Sequence, residues 1–197
     1  MNFLAHIYLS QNDDEIKIGN FIADSIRGKK YKKYPPNIQK GILLHRHIDT
    51  FTDAHPTVRM STKRLHKNYS HYSSVIVDIL YDHFLAKNWN NYSDVPLETF
   101  VEDFYHLLED HFEMLPQNVQ RMLPHMIHDN WLVSYASIAG ITKVLEGMNR
   151  RTQNRSKMNL AVVELTAFYD EFEAEFTSFF AELIEFSKQK LNELQHE

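Results

Sequence analysis

The 197-residue sequence contains no cysteine, which excludes disulfide bonds from its fold and thiolate chemistry from its function. Any metal site must therefore use histidine, aspartate, glutamate and water, a donor set that suits hard or borderline ions. Five glycines and six prolines are few for this length, and their scarcity favours helices over a turn-rich β-sandwich. These absences together indicate a helical protein whose chemistry depends on nitrogen and oxygen donors.

Long hydrophobic runs are also missing. No stretch of about 18 apolar residues occurs, so no membrane-spanning helix is predicted. The opening segment MNFLAHIYLS is apolar but short, has no basic residue, and is followed at once by three acidic residues, unlike a signal peptide. We expect a cytoplasmic protein without a membrane partner. We also expect one domain over residues 1–197, because no repeat or linker divides the chain.

The charge is unevenly distributed. The chain carries a formal net charge of −5, but residues 1–90 hold 13 lysines and arginines against 8 acidic residues, a net charge of +5. Residues 91–197 hold 8 against 18, a net charge of −10. A basic half in an acidic protein indicates a negatively charged partner or substrate on one side of the molecule.

Apolar residues recur with helical periodicity along most of the chain, and the alternation typical of strands is absent. We therefore predict an all-α fold. The predicted helices cover residues 2–9, 15–26, 35–53, 56–68, 73–87, 96–113, 117–129, 131–149 and 159–194. A basic loop, RGKKYKKYPP, is predicted between the second helix and the third.

The last predicted helix carries a phenylalanine-rich apolar stripe, and we expect this stripe to pack in the core. Its members are Leu160, Val163, Ala167, Phe168, Phe172, Phe176, Phe179, Phe180 and Leu183.

The third predicted helix contains the segment GILLHRHIDTFTDAHP, in which charged residues stand among apolar ones. At about 100° per residue, His45, Asp49 and Thr52 share one stripe beside the apolar face. A histidine and an aspartate one turn apart can share a cation or form a hydrogen-bonded pair. This segment is thus either a solvated edge of the helix or the wall of an active site.

Three more apolar segments carry polar residues one turn apart: Asn2 and His6, Asn20 and Asp24, and Asp78 and Asp82. All of these side chains offer only nitrogen or oxygen, so the pattern fits a metal site formed by several helices. A structural explanation also stays open, because Asp24 and Asp82 could be neutralised by Arg27 or Arg46 in ion pairs. A single histidine such as His6 is more often a hydrogen-bonded core residue than a ligand.

The ordered motifs resemble the acyl carrier protein phosphodiesterase family from Met1 to about Arg151: MNFLAHIYLS, GNFIADSIRG, YPP, GILLHRHIDTFTDAHP, YDHFLAKNW and VLEGMNRR. That family resembles a divergent branch of the HD-type metal phosphohydrolases, which are all-helical bundles. The resemblance implies hydrolysis of the phosphodiester that joins 4′-phosphopantetheine to a serine of holo-acyl carrier protein. It also implies a divalent cation, and we expect Mn²⁺ rather than Mg²⁺.

The resemblance assigns roles by position. His45, Arg46 and Asp49 match the family's His-Arg-x-x-Asp core, although this segment does not contain the adjacent His-Asp pair of typical HD enzymes. The implied metal ligands are His6, Asp24, His45, Asp49 and Asp82. The implied catalytic residues are Arg46 as phosphate clamp, Asp53 as general base or as partner of Arg46, and His83 as general acid or further ligand.

The same resemblance implies a function for the basic loop, because acyl carrier proteins are strongly acidic and would be attracted to it. We expect five residues that directly follow Asp24 to steer the carrier to the metal site: Arg27, Lys29, Lys30, Lys32 and Lys33. A second basic face could extend this surface: Arg59, Lys63, Arg64 and Lys67. Ordinary solvated lysines are the alternative for both groups.

Two other functions stay open on the sequence alone. The same site could hydrolyse a nucleotide or another small phosphoester, which would not need the basic loop. The chain could instead be a non-enzymatic helical module that binds an acidic protein or RNA. We do not expect nucleic acid, because the chain is acidic overall and its basic loop contains few aromatic residues. No oligomeric state is predicted.

Overall fold

The structure is a computed structural model, and it describes residues 1–196. Within them the chain forms eleven α-helices, short 3₁₀ helices and no strand, which confirms the all-α prediction. The helices are α1 (Phe3–Leu9), α2 (Asp14–Ile22), α3 (Pro36–Ala54), α4 (Pro56–Tyr69), α5 (Ser73–Lys87), α6 (Leu97–Asp110), α7 (Gln117–His128), α8 (Trp131–Ser134), α9 (Ile138–Arg151), α10 (Val162–Ala167) and α11 (Tyr169–His196).

Helix starts follow local sequence signals. Asp13 precedes α2, and its carboxylate accepts a hydrogen bond from the backbone N–H of Ile16 at 3.0 Å. Pro36 and Pro56 stand in the first turns of α3 and α4, where the missing N–H costs nothing. His55 makes the corner between α3 and α4 in an extended conformation. The predicted bounds of α3, α4 and α5 therefore agree closely with the structure.

The second predicted helix ends earlier than expected. Its α-helical part stops at Ile22, and a 3₁₀ turn, Ala23–Ser25, follows. The predicted basic loop is also different, because Gly28–Lys33 forms a 3₁₀ helix. Gly28 has a positive φ of 56°, a backbone conformation that glycine adopts without strain. Asp24 therefore lies on a tight turn between two helical segments rather than on a regular α-helix.

The two C-terminal predictions were each wrong about continuity. The segment 131–149 is interrupted, because Ser137 is extended and its hydroxyl caps α9 by accepting from the N–H of Gly140. The segment 159–194 breaks before Tyr169. The first part of the predicted stripe is therefore exposed, since it precedes the break: Leu160, Val163, Ala167 and Phe168. The stripe is buried from Phe172 onward.

The buried apolar side chains form one continuous core. α3 packs against α2 and against α11, so its polar edge lies next to the ends of α1 and α2. The continuous core is consistent with the single domain expected for residues 1–197, which stays a prediction. No helix within residues 1–196 has the length and apolarity needed to cross a membrane.

α2 and α3 cross at a pair of glycines. A Cβ added to Gly19 would clash with the carbonyl oxygen of Ile38, and one added to Gly41 would clash with the carbonyl oxygen of Ile16. Only glycine permits the two backbones to approach this closely. The crossing places α2 directly against the first half of α3.

Candidate metal centre

Three side chains from α1 and α3 converge in space. The possible donor atoms of His6, His45 and Asp49 all lie within 4.8 Å of one another. Nε2 of His45 is 3.1 Å from Oδ2 of Asp49, and Nε2 of His6 is 3.3 Å from Oδ1 of the same carboxylate. The two imidazole rings stack with their centroids 3.9 Å apart and an angle of 16° between the planes. We call these three residues the metal cluster.

Asp24 approaches the metal cluster from the solvent side. Its Oδ1 lies 3.3 Å from Nε2 of His45, so that nitrogen faces two carboxylates. The Asp24 side chain is 79% exposed, whereas His6 and His45 are buried. The 3₁₀ turn that ends α2 is what directs this carboxylate toward α3. The structure thus offers a fourth oxygen donor on the open side of the cluster.

Asn20 orients His45. The carbonyl oxygen of Asn20 lies 2.8 Å from Nδ1 of His45, which we assign as the N–H donor of this hydrogen bond. The side-chain amide of Asn20 donates to the carbonyl oxygen of His6 at 2.8 Å and to the hydroxyl of Ser10 at 2.9 Å. Asn20 is fully buried and links the segments that carry the two histidines.

The role of Asn20 was missed from the sequence, where it appeared only as the partner of Asp24 in a polar pair. The signal that could have found it is a buried amide on an otherwise apolar helix, immediately after a glycine.

The charges around His45 shift its pKa strongly. Burial lowers the pKa of His45, but hydrogen bonds and charge from Asp24 and Asp49 outweigh burial and raise it to about 9. Burial and the charge of His45 lower the pKa of His6 to about 4. Burial would raise the pKa of Asp49, but its contacts with the two histidines hold it well below the usual value. Without an ion, neutral pH leaves His45 as a cation and His6 neutral.

The residues present fit a metal ion. Both ring nitrogens of His6 are buried. Within residues 1–196, Nδ1 has no hydrogen-bond partner, and Nε2 has only the contact of 3.3 Å with the Asp49 carboxylate, which lacks good hydrogen-bond geometry. An unpartnered buried polar atom is costly, and coordination to an ion would satisfy one of these nitrogens. The donor separations of 3.1 and 3.3 Å resemble those of neighbouring ligands around one ion at about 2.1 Å. His6, His45 and Asp49, with Asp24, could hold a divalent cation.

Asp82 lies apart from this group. Its carboxylate is buried beneath the start of α1 and accepts hydrogen bonds from the N–H groups of Leu4 at 2.7 Å and Ala5 at 3.2 Å. Burial raises its pKa to about 7, although these two hydrogen bonds oppose the shift. The structure therefore does not bring Asp82 together with the other four predicted ligands. It places Asp82 as a support for the helix that carries His6.

His83 is likewise separated from the metal cluster. Its Nδ1 lies 2.7 Å from the carbonyl oxygen of Tyr135, and its Nε2 lies 2.8 Å from the hydroxyl of Tyr169. Burial lowers the pKa of His83. Both ring nitrogens of His83 are therefore used in hydrogen bonds to Tyr135 and Tyr169. These hydrogen bonds connect α5 to other parts of the fold and do not involve the metal cluster.

Arg46 contacts the segment that follows Asp24. One guanidinium nitrogen, Nη2, donates to the carbonyl oxygens of Ile26 at 3.0 Å and Gly28 at 2.9 Å. The guanidinium also lies 5.2 Å from the ring centroid of Tyr31. Asp53 is exposed one turn beyond Asp49, and no ion pair joins it to Arg46 among the described residues. Arg46 thus fixes the start of the basic 3₁₀ helix.

The five residues of the predicted basic surface are exposed on and beside the 3₁₀ helix Gly28–Lys33. None of its five cations forms an ion pair with a carboxylate within residues 1–196: Arg27, Lys29, Lys30, Lys32 and Lys33. Their charges are therefore available to a partner. The surface begins three residues after Asp24, so it adjoins the open side of the metal cluster.

Comparisons with known proteins place the chain in a family. Residues 1–183 match the family described as Acyl carrier protein phosphodiesterase. A relative of that name from Photorhabdus laumondii is 33% identical over 193 residues, which cover 96% of each chain. Another from Pectobacterium atrosepticum is 30% identical and covers 95% of this chain and 98% of its own. A third from Escherichia coli O6:H1 is 31% identical and covers 96% and 99%.

No solved structure matches this chain significantly, so the similarity to HD-type phosphohydrolases stays a prediction. The family match, which spans nearly the whole chain, agrees with the convergence of histidine and aspartate donors in the structure. On these grounds the chain belongs to the acyl carrier protein phosphodiesterase family.

Proposed function

We propose that this protein is a metal-dependent phosphodiesterase that removes 4′-phosphopantetheine from the serine of holo-acyl carrier protein and leaves apo-acyl carrier protein. The observation that carries the proposal is the metal cluster, His6, His45 and Asp49, joined by Asp24, in a chain whose relatives bear this name. The proposed place of action is the cytoplasm.

The proposed cofactor is a divalent cation, Mn²⁺ before Mg²⁺. Two imidazole nitrogens and two carboxylates suit Mn²⁺ better than Mg²⁺, which prefers oxygen ligands and retains its waters. A bound cation of this kind neutralises phosphate charge and lowers the pKa of water. The carbonyl oxygen of Asn20 accepts a hydrogen bond from the Nδ1–H of His45, which leaves Nε2 as the nitrogen that can coordinate the ion.

Arg46 is the proposed phosphate clamp. Its Nη2 is engaged with two carbonyl oxygens, while Nη1 and Nε make no hydrogen bond within the described residues. A guanidinium held on one side can still present its other N–H groups to phosphate oxygens. Asp53 is proposed as the group that takes a proton from the attacking water, because it is an exposed carboxylate on the same helix as Asp49.

For Asp82 and His83 we propose positioning roles in place of ligation and acid catalysis. Asp82 holds the first turn of α1 and thereby the helix that presents His6. His83 ties α5 to Tyr135 and Tyr169. A general acid for the serine leaving group is therefore not assigned to His83.

The basic surface of the Gly28–Lys33 helix is proposed to steer the acidic carrier protein. Its unpaired cations lie next to Asp24, so an attracted carrier would arrive at the open side of the metal cluster. A small phosphoester would gain less from these charges. Removal of the lysines should therefore reduce activity on the carrier more than activity on a small diester.

Mass spectrometry of holo-acyl carrier protein incubated with the purified protein tests the proposal. With Mn²⁺ we expect the carrier to lose about 340 Da, the mass of the phosphopantetheinyl group, and with chelator we expect no loss. His45→Ala should abolish the loss, whereas His47→Ala, an exposed residue of the same helix, should not. An unchanged carrier with Mn²⁺ demonstrably bound would refute the substrate. Absence of metal binding would refute the site.

A further inference from the structure

A second positive surface lies between α4 and α5, away from the Gly28–Lys33 helix. The two helices enclose a groove of about 680 Å³, whose lining includes Asp53, Arg59, Lys63, Lys67 and Asp78. The volume is within the range of ligand sites in proteins. The groove is open to solvent rather than enclosed, which suits contact with another protein surface more than burial of a small ligand.

Three cations of α4 form a row along this groove. Arg59, Lys63 and Lys67 follow one another at intervals of four residues and are all exposed. None of them pairs with a carboxylate in the part of the chain that the structure describes. Arg64, which the sequence grouped with them, faces the other way and binds Glu175 of α11 at 2.6 Å. The structure thus separates a structural arginine from three unpaired cations.

The groove begins beside the metal cluster. Asp53 of its lining stands one turn after Asp49 on α3. On the facing wall, Oδ1 of Asp78 is 3.0 Å from the Met1 amino nitrogen, which lies 3.9 Å from Oδ1 of Asp49. The cation row therefore leads away from the Asp49 side of the cluster, whereas the Gly28–Lys33 helix adjoins its Asp24 side.

We propose that this groove docks an acidic helix of the carrier protein, an inference that rests on the proposed function. Successive cations in the row are separated by about 6 Å along the helix axis, because each residue rises about 1.5 Å. Carboxylates one turn apart on a partner helix have nearly the same spacing, so the two rows match charge for charge. A single phosphate would require cations that converge on one point, which a row along one helix does not supply.

The test compares two triple variants with the same change in charge. The groove variant is Arg59→Gln, Lys63→Gln and Lys67→Gln. The control variant is Arg121→Gln, Lys143→Gln and Lys157→Gln, three exposed cations outside the groove that also have no carboxylate partner in the described chain. Binding of apo-acyl carrier protein is measured by calorimetry at low and at physiological salt, and activity is measured on holo-carrier and on bis(p-nitrophenyl) phosphate.

We expect the groove variant to bind apo-carrier about tenfold more weakly than the control variant and to show a smaller dependence on salt. The ratio of its activity on holo-carrier to its activity on the small diester should fall about tenfold, through KM. Equal binding by the two variants would overturn the docking site, as would a parallel loss on both substrates.

The same experiment separates the docking site from the proposed function. If the wild-type protein binds apo-carrier through the groove but leaves holo-carrier intact, the proposed reaction is wrong and the docking site stands. If the wild-type protein hydrolyses holo-carrier and the groove variant does so equally well, the docking site is wrong and the reaction stands. If it neither binds nor hydrolyses the carrier, both are wrong.

Discussion

The direction of one hydrogen bond decides what His45 can do. Because Nδ1 is turned toward the carbonyl oxygen of Asn20, Nε2 is the nitrogen that meets Asp24 and Asp49. In the opposite tautomer the hydrogen would be on Nε2, and that nitrogen could not coordinate an ion in the cluster. The backbone of Asn20 thus determines donor chemistry on a neighbouring helix, and the Asn20 side chain fixes that backbone relative to α1.

Metal binding should release a proton at neutral pH. His45 has a pKa of about 9 without an ion, so it is protonated at about pH 7 and must lose that proton to become a ligand. His6, with a pKa of about 4, is already neutral and releases none. The apparent affinity for Mn²⁺ should therefore rise about tenfold per pH unit from about pH 7 to about pH 9 and then level off.

Calorimetry in buffers of different ionisation enthalpy measures this proton release. We expect about one proton per ion at about pH 7. The variant Asp24→Asn provides the control, because it removes one carboxylate that raises the pKa of His45 and should move the pH range downward. Metal binding without proton release at neutral pH would show that His45 is neutral before the ion arrives.

At the scale of single residues, the sequence predicts some of the observed side-chain contacts and not others. His45 and Asp49 lie one turn apart on a helix that the sequence predicts well, so their proximity is a local property. His6 and Asp24 join them only through tertiary packing, and the family resemblance supplied that link. Asp82 shows the same local pattern as a ligand, but two backbone N–H groups satisfy it instead. A sequence does not reveal which of these partners a buried carboxylate meets.

Among whole elements, the glycine contact between α2 and α3 has the clearest consequence. Gly41→Ala should destabilise the fold by about 1–3 kcal/mol, because the added Cβ clashes with the carbonyl oxygen of Ile16 and forces the helices apart. The affinity for Mn²⁺ should fall as well, since the same shift separates Asn20 from His45. Urea unfolding and a metal titration of the variant measure the two effects.

Gly147→Ala is the matched control for this substitution. Gly147 lies inside α9, and a Cβ added there would meet only the guanidinium of Arg150 at 3.8 Å. Alanine at such a helix position is expected to stabilise the protein by about 0.5–1 kcal/mol. If Gly41→Ala behaved like Gly147→Ala, the close approach of α2 and α3 would not be needed for the site.

Asp82 supports α1 in a way that depends on pH. Its pKa of about 7 in the folded protein lies above the ordinary value of 3.8. Between about pH 4 and about pH 7, the Asp82 carboxyl is therefore protonated in the folded state and ionised in the unfolded state. The contribution of Asp82 to the free energy of unfolding is therefore greatest at low pH and declines as pH rises from about 4 to about 7. Asp82→Asn should remove this decline, and urea unfolding across that range measures it. An unchanged pH profile would contradict the raised pKa.

The helices themselves are predicted better than their ends. Prolines mark the starts of α3 and α4, and continuous apolar periodicity marks α5, so these elements agree with the sequence interpretation. No proline or glycine marks the break before Tyr169. Phe168 ends α10 through its backbone conformation alone. Tyr169, the first residue of α11, packs against His83 and Phe84 of α5, and a local sequence pattern does not contain such a tertiary contact.

For the molecule as a whole, the continuous core predicts a single unfolding transition. Bound metal should move this transition to a higher temperature. At a free Mn²⁺ concentration of about 100 times Kd, binding should add about 2.7 kcal/mol to the free energy of unfolding. For a chain of this size that corresponds to a rise in Tm of about 5–10 °C. Calorimetry with Mn²⁺ and with chelator measures the shift, and His45→Ala should lose it. Two separate transitions would contradict a continuous core.

The four proposed donors all lie between residues 6 and 49, and none comes from α4–α11. On the ribosome, the complete donor set is therefore synthesised before the two elements that hold it in place, α5 beneath α1 and α11 against α3. A preformed metal site rarely exists before its frame has folded. We therefore expect the proposed ion to bind late in the folding of the chain, after α11 has packed against α3.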